Sequence, residues 1–163
     1  MTSAPRPLDG VKVVEFSHMV MGPTCGLILA DLGADVVKVE PASGGDNTRY
    51  LPGSGSGIFG TYNRNKRSVS VNLKSPEGLE FASRLVRESD VLIENFSAGV
   101  LERLGLGYEA MQKANPRLVY CALKGFLSGP YEQRVALDEV VQMMGGLAYM
   151  TGPEGRPLRA GAS

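Results

Sequence analysis

Two short β-branched runs constrain this chain more than any other feature. VKVVEF at residues 11–16 and DVVKVE at residues 35–40 flank the stretch GPTCGLILADLGA, in which Pro23 suits a first helical turn and Gly33 a helix end. A helix of about ten residues is the length expected of a crossover between neighbouring parallel strands, so the spacing predicts a βαβ unit. Later segments repeat the alternation. SVSVNL at 68–73 alternates like a strand, and Ser75 makes an N-cap, with Pro76 in the first turn and Glu77 at the positive helix end, for a helix running to about Glu88. VLIENF at 91–96 and LVYCAL at 118–123 read as further strands, with helical patterns around 100–104 and 108–113 between them. Residues 136–150 read as a helix of mixed character. The expected fold class is α/β, an open, mostly parallel, Rossmann-like sheet.

Two stretches break the alternation. Residues 41–66 turn to Gly, Ser, Asn, Arg and Pro with no apolar period, which predicts a long irregular segment of the kind that is usually functional or mobile. The tail TGPEGRPLRAGAS holds two prolines and three glycines with no capping element or closing strand, so the expectation is a chain cut short at its C-terminus.

Bulk properties exclude several function classes. With 163 residues, one domain with a real core is the default. Lys and Arg number 17 against 17 Asp and Glu, so no overall field draws a polyanion or an acidic membrane, and nucleic acid is not an expected partner. The apolar fraction of 43% is ordinary, and no run approaches the ~18 consecutive apolar residues of a membrane span. The start, MTSAPRPLDG, lacks the layout of a signal peptide, which predicts a cytoplasmic location. Cys25 and Cys121 are far apart without a CxxC pattern and are expected to be reduced, packed thiols. His18 is the single histidine, which leaves no sequence-visible zinc constellation and disfavours metal hydrolase chemistry.

Ligands of such sheets gather at the carboxyl edge, so the residues just after the strands are the candidates: Ser17, His18, Met19 and Val20, then Asn95 and Phe96, then Lys124, Gly125 and Phe126. Position alone also fits a solvated loop. Gly55, Gly57 and Gly60 spell G-x-G-x-x-G, but the pattern is expected neither to follow a strand nor to open a helix, which argues against a nicotinamide cofactor. Asn63-Arg64-Asn65-Lys66-Arg67 places three cations and two amides together, suited to phosphates or carboxylates, or else to a solvated basic turn.

PLDGVKVVEF at 7–16, Gly22-Pro23, LGADVVKVEP at 32–41, NKRS at 65–68, ENF at 94–96 and NPRLVY at 115–120, in this order, resemble the class III CoA-transferase family, also called CaiB/BaiF. The resemblance runs from about Pro7 to Ser163, as the N-terminal, CoA-binding region of longer chains. It implies a Rossmann-type domain in an interlocked homodimer. It also implies coenzyme A and acyl-CoA as substrates with no tightly bound cofactor, and a small carboxylic acid as acceptor. Carried over by position, Met19 and Val20 would line the CoA moiety and Val71 would sit near the adenine, while Asn95, Phe96 and Arg103 would contact the nucleotide or pantetheine. Arg103 is the best phosphate candidate, with Lys124 and Asp138 near the same edge. Pro41, where formyl-CoA transferase has Arg, and the residues around 136–138 depart from that enzyme.

In the family an aspartate carboxylate attacks the acyl-CoA thioester, which splits one hard acyl transfer into easier steps. Aligned on Gly161, that aspartate would fall a few residues beyond Ser163, so no catalytic residue is expected within the chain, and the chain alone is expected to be inactive. Residues 134–163 look most like the branch serving small dicarboxylic acids. Two alternatives accompany this reading. Related α-methylacyl-CoA racemases use a histidine immediately before the position matching Asp138, where this chain has Leu137. The chain could also serve as a non-catalytic CoA-binding region.

Overall fold

The computed structural model describes residues 4–161. Five strands, β1 (Lys12–Phe16), β2 (Asp35–Pro41), β3 (Arg67–Val71), β4 (Val91–Glu94) and β5 (Val119–Ala122), form one sheet in the order β3-β2-β1-β4-β5. Every pairing is parallel. The α/β class and the parallel sheet expected from the alternation are both present. Helices α1 (Met21–Asp31), α2 (Ile58–Asn63), α3 (Pro76–Arg87), α4 (Val100–Arg103) and α5 (Tyr108–Ala114) fill the connections.

A parallel sheet is covered on both faces, and here each face has its own apolar cluster. On one side Val14, Phe16, Val39, Val71 and Leu92 pack with Ala82 and Val86 of α3, Leu101 of α4 and Met111 of α5. On the other, Val13, Val36 and Ile93 pack with Ala30 of α1 and with Ala34. Phe16, Leu92 and Ile93 are fully buried, and burial of a side chain of this size stabilises by about 1.5–3 kcal/mol. α3 starts as the sequence predicts: Ser75 Oγ accepts a hydrogen bond from the Gly78 N–H at 3.1 Å, a cap worth about 1 kcal/mol.

Several expectations need correction. Residues 41–66 are not wholly irregular, since they hold 3-10 turns at Asn47–Tyr50 and Gly53–Gly55 and the helix α2. The G-x-G-x-x-G glycines do lead into a helix, because Gly60 lies inside α2, although no strand precedes them. The strand expected at 91–96 stops at Glu94, which leaves Asn95 and Phe96 in the loop.

The chain divides into two compact units, the second beginning at Lys124. In that second unit the helix expected over 136–150 breaks at Gly145-Gly146 into α6 (Asp138–Met144) and α7 (Leu147–Thr151). Its segments are tied by an Arg159–Asp138 ion pair at 3.1 Å, by the Ala160 N–H to Gln142 Oε1 at 2.7 Å, and by the Leu158 N–H to the Ala148 carbonyl at 2.9 Å. Among the described residues no helix is long and apolar enough to cross a membrane.

Candidate functional site

In the order β3-β2-β1-β4-β5 the connections leave β1 in one direction and β4 in the other, so the crevice between their carboxyl ends is the topological switch point where such sheets take ligands. Two loops meet there, residues 17–20 after β1 and residues 95–99 after β4. Asn95 joins them. Its Oδ1 accepts a hydrogen bond from the His18 N–H at 3.0 Å, and its Nδ2 donates to the His18 carbonyl at 2.8 Å. The His18 and Phe96 rings lie 5.6 Å apart, centroid to centroid. Met19 adopts a left-handed backbone with φ of 63°, uncommon for a residue with a side chain, and both Met19 and Met21 stand exposed beside the clamp.

The close approach of α1 to both loops depends on Gly22. A Cβ at this position would lie 2.4 Å from Ser17 Cβ and 3.0 Å from Asn95 Cγ, so any larger residue would push the helix away from the crevice. A small cavity of about 100 Å³ opens alongside, lined by Ser17, His18, Glu40, Asp46 and Phe96 among others. The crowding of His18 by these walls lowers its basicity below the ordinary imidazole value; the Asp46 carboxylate opposes that shift and the Lys38 ammonium adds to it.

Beneath the loops lies a buried set of charges that strand alternation does not reveal. Glu15, Lys38, Asp46 and the Lys66 side chain are each almost wholly removed from solvent. Glu15 Oε1 accepts from Ser17 Oγ at 2.5 Å and faces Lys38 Nζ at 3.2 Å, while Glu15 Oε2 faces Lys66 Nζ at 2.8 Å. Lys38 Nζ also donates to the Ser17 carbonyl at 2.7 Å and meets Asp46 Oδ2 at 3.1 Å. Glu15 Oε2 and Asp46 Oδ2 have no well-aligned hydrogen bond, and these ammonium groups are what compensate them. Burial lowers the Lys66 pKa against the pull of Glu15. The network therefore fixes the carbonyl of Ser17, the residue at which the loop after β1 begins.

A second cluster fastens the segment after β2. Burial raises the Glu40 carboxyl, but hydrogen bonds from Arg49, Ser68 and the Asp46 backbone outweigh it and hold the group at about 2. Arg49 reaches both carboxylate oxygens at 2.7 Å, and its guanidinium lies 3.7 Å from the Phe59 ring centroid. The basic run at 63–67 is absorbed into the same fastening. Arg64 and Asn65 bind Asp31, Arg67 binds Asp35 and Lys66 binds Glu15 and the Pro23 carbonyl, so the cations of this run are met by carboxylates and carbonyls of the chain itself.

The residues singled out from the sequence fall in different places. Met19, Val20, Asn95 and Phe96 gather at the switch point. Arg103 is the fourth and last residue of α4, the short helix that follows the 95–99 loop, and is exposed with no ion pair among the described residues. Val71 ends the edge strand β3 with its side chain in the apolar core beside Phe16 and Val39. Lys124 opens the second unit and is exposed. In that unit Asp138 is committed to Arg159 and Gln142, and Leu137 is exposed at the start of α6. Sequence reasoning missed Glu15, Lys38 and Asp46, which read as the polar side of strands and a loop.

A Rossmann-type sheet with a loop pair clamped at its switch point defines the general class, a parallel α/β domain. Residues 8–163 match the model of CoA-transferase family III, and the chain belongs to that family. It is 46% identical over 162 residues to a formyl-CoA:oxalate CoA-transferase of Rhodopseudomonas palustris (strain TIE-1), covering 96% of this chain and 38% of that protein. It is 42% identical to the succinate–glutarate CoA-transferase of Agrobacterium fabrum, covering 100% of this chain and 44% of that one. Among solved structures, a CaiB/BaiF family protein from Brucella suis superposes with a TM-score of 0.89 at 43% identity, covering 98% of this chain and 44% of that one. The chain thus spans well under half the length of the curated relatives it matches.

Proposed function

We propose that this chain is the coenzyme A-handling region of a class III CoA transferase. The longer protein moves CoA from an acyl-CoA donor to a small carboxylic acid, in the cytoplasm and as a homodimer, with neither nucleic acid nor membrane as partner. The observation that carries this reading is the Asn95 clamp on His18, which fixes an apolar loop at the switch point of the sheet. Exposed Met19 and Met21 offer a soft apolar wall to a pantetheine chain, and the exposed Arg103 guanidinium offers charge-assisted hydrogen bonds to phosphates. The names of the relatives, formyl-CoA:oxalate and succinate–glutarate CoA-transferase, support CoA transfer between small acids.

The covalent step belongs to an aspartyl carboxylate outside this chain, which forms an anhydride with the acyl group and then a thioester with CoA. The role left to the described residues is to hold the CoA moiety while that exchange runs. Calorimetric titration of the chain with CoA tests the reading. Heat that saturates in the micromolar to millimolar range, and that is lost in Arg103→Ala, is expected; no heat at millimolar CoA sinks it. The transferase assignment is tested in the longer protein. Exchange of the α-proton of a 2-methylacyl-CoA in deuterated water, without CoA transfer to an added acid, would establish the racemase alternative instead.

A further inference from the structure

The chain has two cysteines, both free and half-buried. β2 through α5 lie between them in sequence, yet the fold brings them to one place. In the parallel register Lys38 pairs Glu15, Glu15 pairs Ile93 and Ile93 pairs Cys121, so these residues form one row across the α1 face of the sheet. α1 crosses that row at Gly26, where a Cβ would stand 1.8 Å from Glu15 Oε2. Cys25 precedes Gly26 and points about 100° round the helix. It packs in the same apolar cluster as Ile93, Cys121 and Leu123. Burial, and then the proximity of Cys121, raise the Cys25 thiol above its ordinary value.

We propose that Cys25 and Cys121 form a dithiol modification site, oxidised to an intrachain disulfide by exchange with a low-molecular-weight disulfide such as glutathione disulfide. Cys121, on the edge strand, gives up its proton and its thiolate attacks one glutathione sulfur. The glutathione S–S bond breaks, and one glutathione leaves as a thiolate that takes up a proton. The Cys25 thiolate then attacks the Cys121 sulfur and expels the second glutathione. Two protein thiols are oxidised by two electrons, and one glutathione disulfide is reduced to two thiols. Both side chains pack against Ile93 and its neighbours on the same face of the sheet, which places the two thiols in one apolar pocket of the α1 layer. The bond would tie α1, which begins beside the 17–20 loop, to the far edge of the sheet.

The test reads thiols and is independent of CoA binding. The native chain is incubated with glutathione disulfide, blocked with N-ethylmaleimide and analysed by mass spectrometry. The expected product has lost two hydrogens, carries no maleimide and yields a peptide linking Cys25 to Cys121. Its formation speeds up by about tenfold or more between pH 7 and pH 9, because the resolving thiol must ionise. Cys25→Ser is expected to stop at a stable glutathione adduct on Cys121. Two maleimide-reactive thiols after the incubation, or stable glutathione adducts on both cysteines of the native chain, would overturn the proposal.

Discussion

The Asn95 side chain continues the β1–β4 ladder beyond the point at which the backbone stops supplying it. The backbone bond from the Asn95 N–H to the Phe16 carbonyl is 3.3 Å, and the next two bonds along, to the N–H and carbonyl of His18, are made by the Asn95 amide. A side-chain amide thus stands in for a strand residue and holds the His18 peptide in line with β4 before the chain turns at Met19 and Val20. Asn95→Ala removes both bonds and leaves the His18 peptide without its partner. The expected cost is about 1–3 kcal/mol of stability in denaturant melts, with CoA affinity weakened by at least about tenfold in titration. Asn95→Asp is expected to fall between, since a carboxylate accepts from the His18 N–H but cannot donate to its carbonyl.

Gly22→Ala tests the approach of α1 to the same loops. Its Cβ would overlap Ser17 Cβ, so the helix start has to move outward. Overpacking of this kind costs about 1–3 kcal/mol, and the expected signature is a lowered melting temperature together with weaker CoA binding.

The buried charges give a prediction about coupling. Lys66→Met leaves Glu15 Oε2 without its ammonium, and breaking a buried pair from one side costs about 3–5 kcal/mol. Adding Glu15→Gln to that variant is expected to cost much less than Glu15→Gln does alone. A double-mutant cycle with a coupling energy below about 0.5 kcal/mol would show the pair to be energetically independent.

Glu40 gives a pH dependence with a definite sign. Its carboxyl titrates near 4.5 when free and at about 2 in the fold, so its ionised form stabilises the native state. The contribution is fully present above pH 4.5 and is lost as the pH falls toward 2. Because Arg49 remains one-third exposed, solvent screening reduces the effect to about 2 kcal/mol. Denaturant melts of wild type and Glu40→Gln are expected to differ by about that much at pH 6 and to converge as the pH falls from 4.5 toward 2.

Much of the fold was legible because strand and helix signals agreed. VKVVEF, DVVKVE and the Ser75-Pro76 start each act locally, and all became elements within one or two residues of the expected bounds. α2 was not legible, because its six residues carry no apolar period and their place depends on partners remote in sequence: Lys66 on Glu15 and the Pro23 carbonyl, Arg49 on Glu40. The same cause hid the buried charges. Glu15 and Lys38 look like the solvent side of half-covered strands, but helices cover both faces of a parallel sheet, so in its central strands the polar alternate residues are buried along with the apolar ones. The loop residues were found by their position after strands and by resemblance. The bond between Asn95 and His18 has no sequence signal, because neither residue constrains the other until β1 and β4 lie side by side.

Glu15, Asp46, Lys38 and Lys66 together carry no net charge, and each is held in place by at least one of the others. Inheritance should treat them as a single character. A lineage that loses one of the four keeps an uncompensated ion under the loop after β1 until a second change restores neutrality, so substitutions among relatives at these positions are expected in compensated pairs, as far apart in sequence as residues 15 and 66.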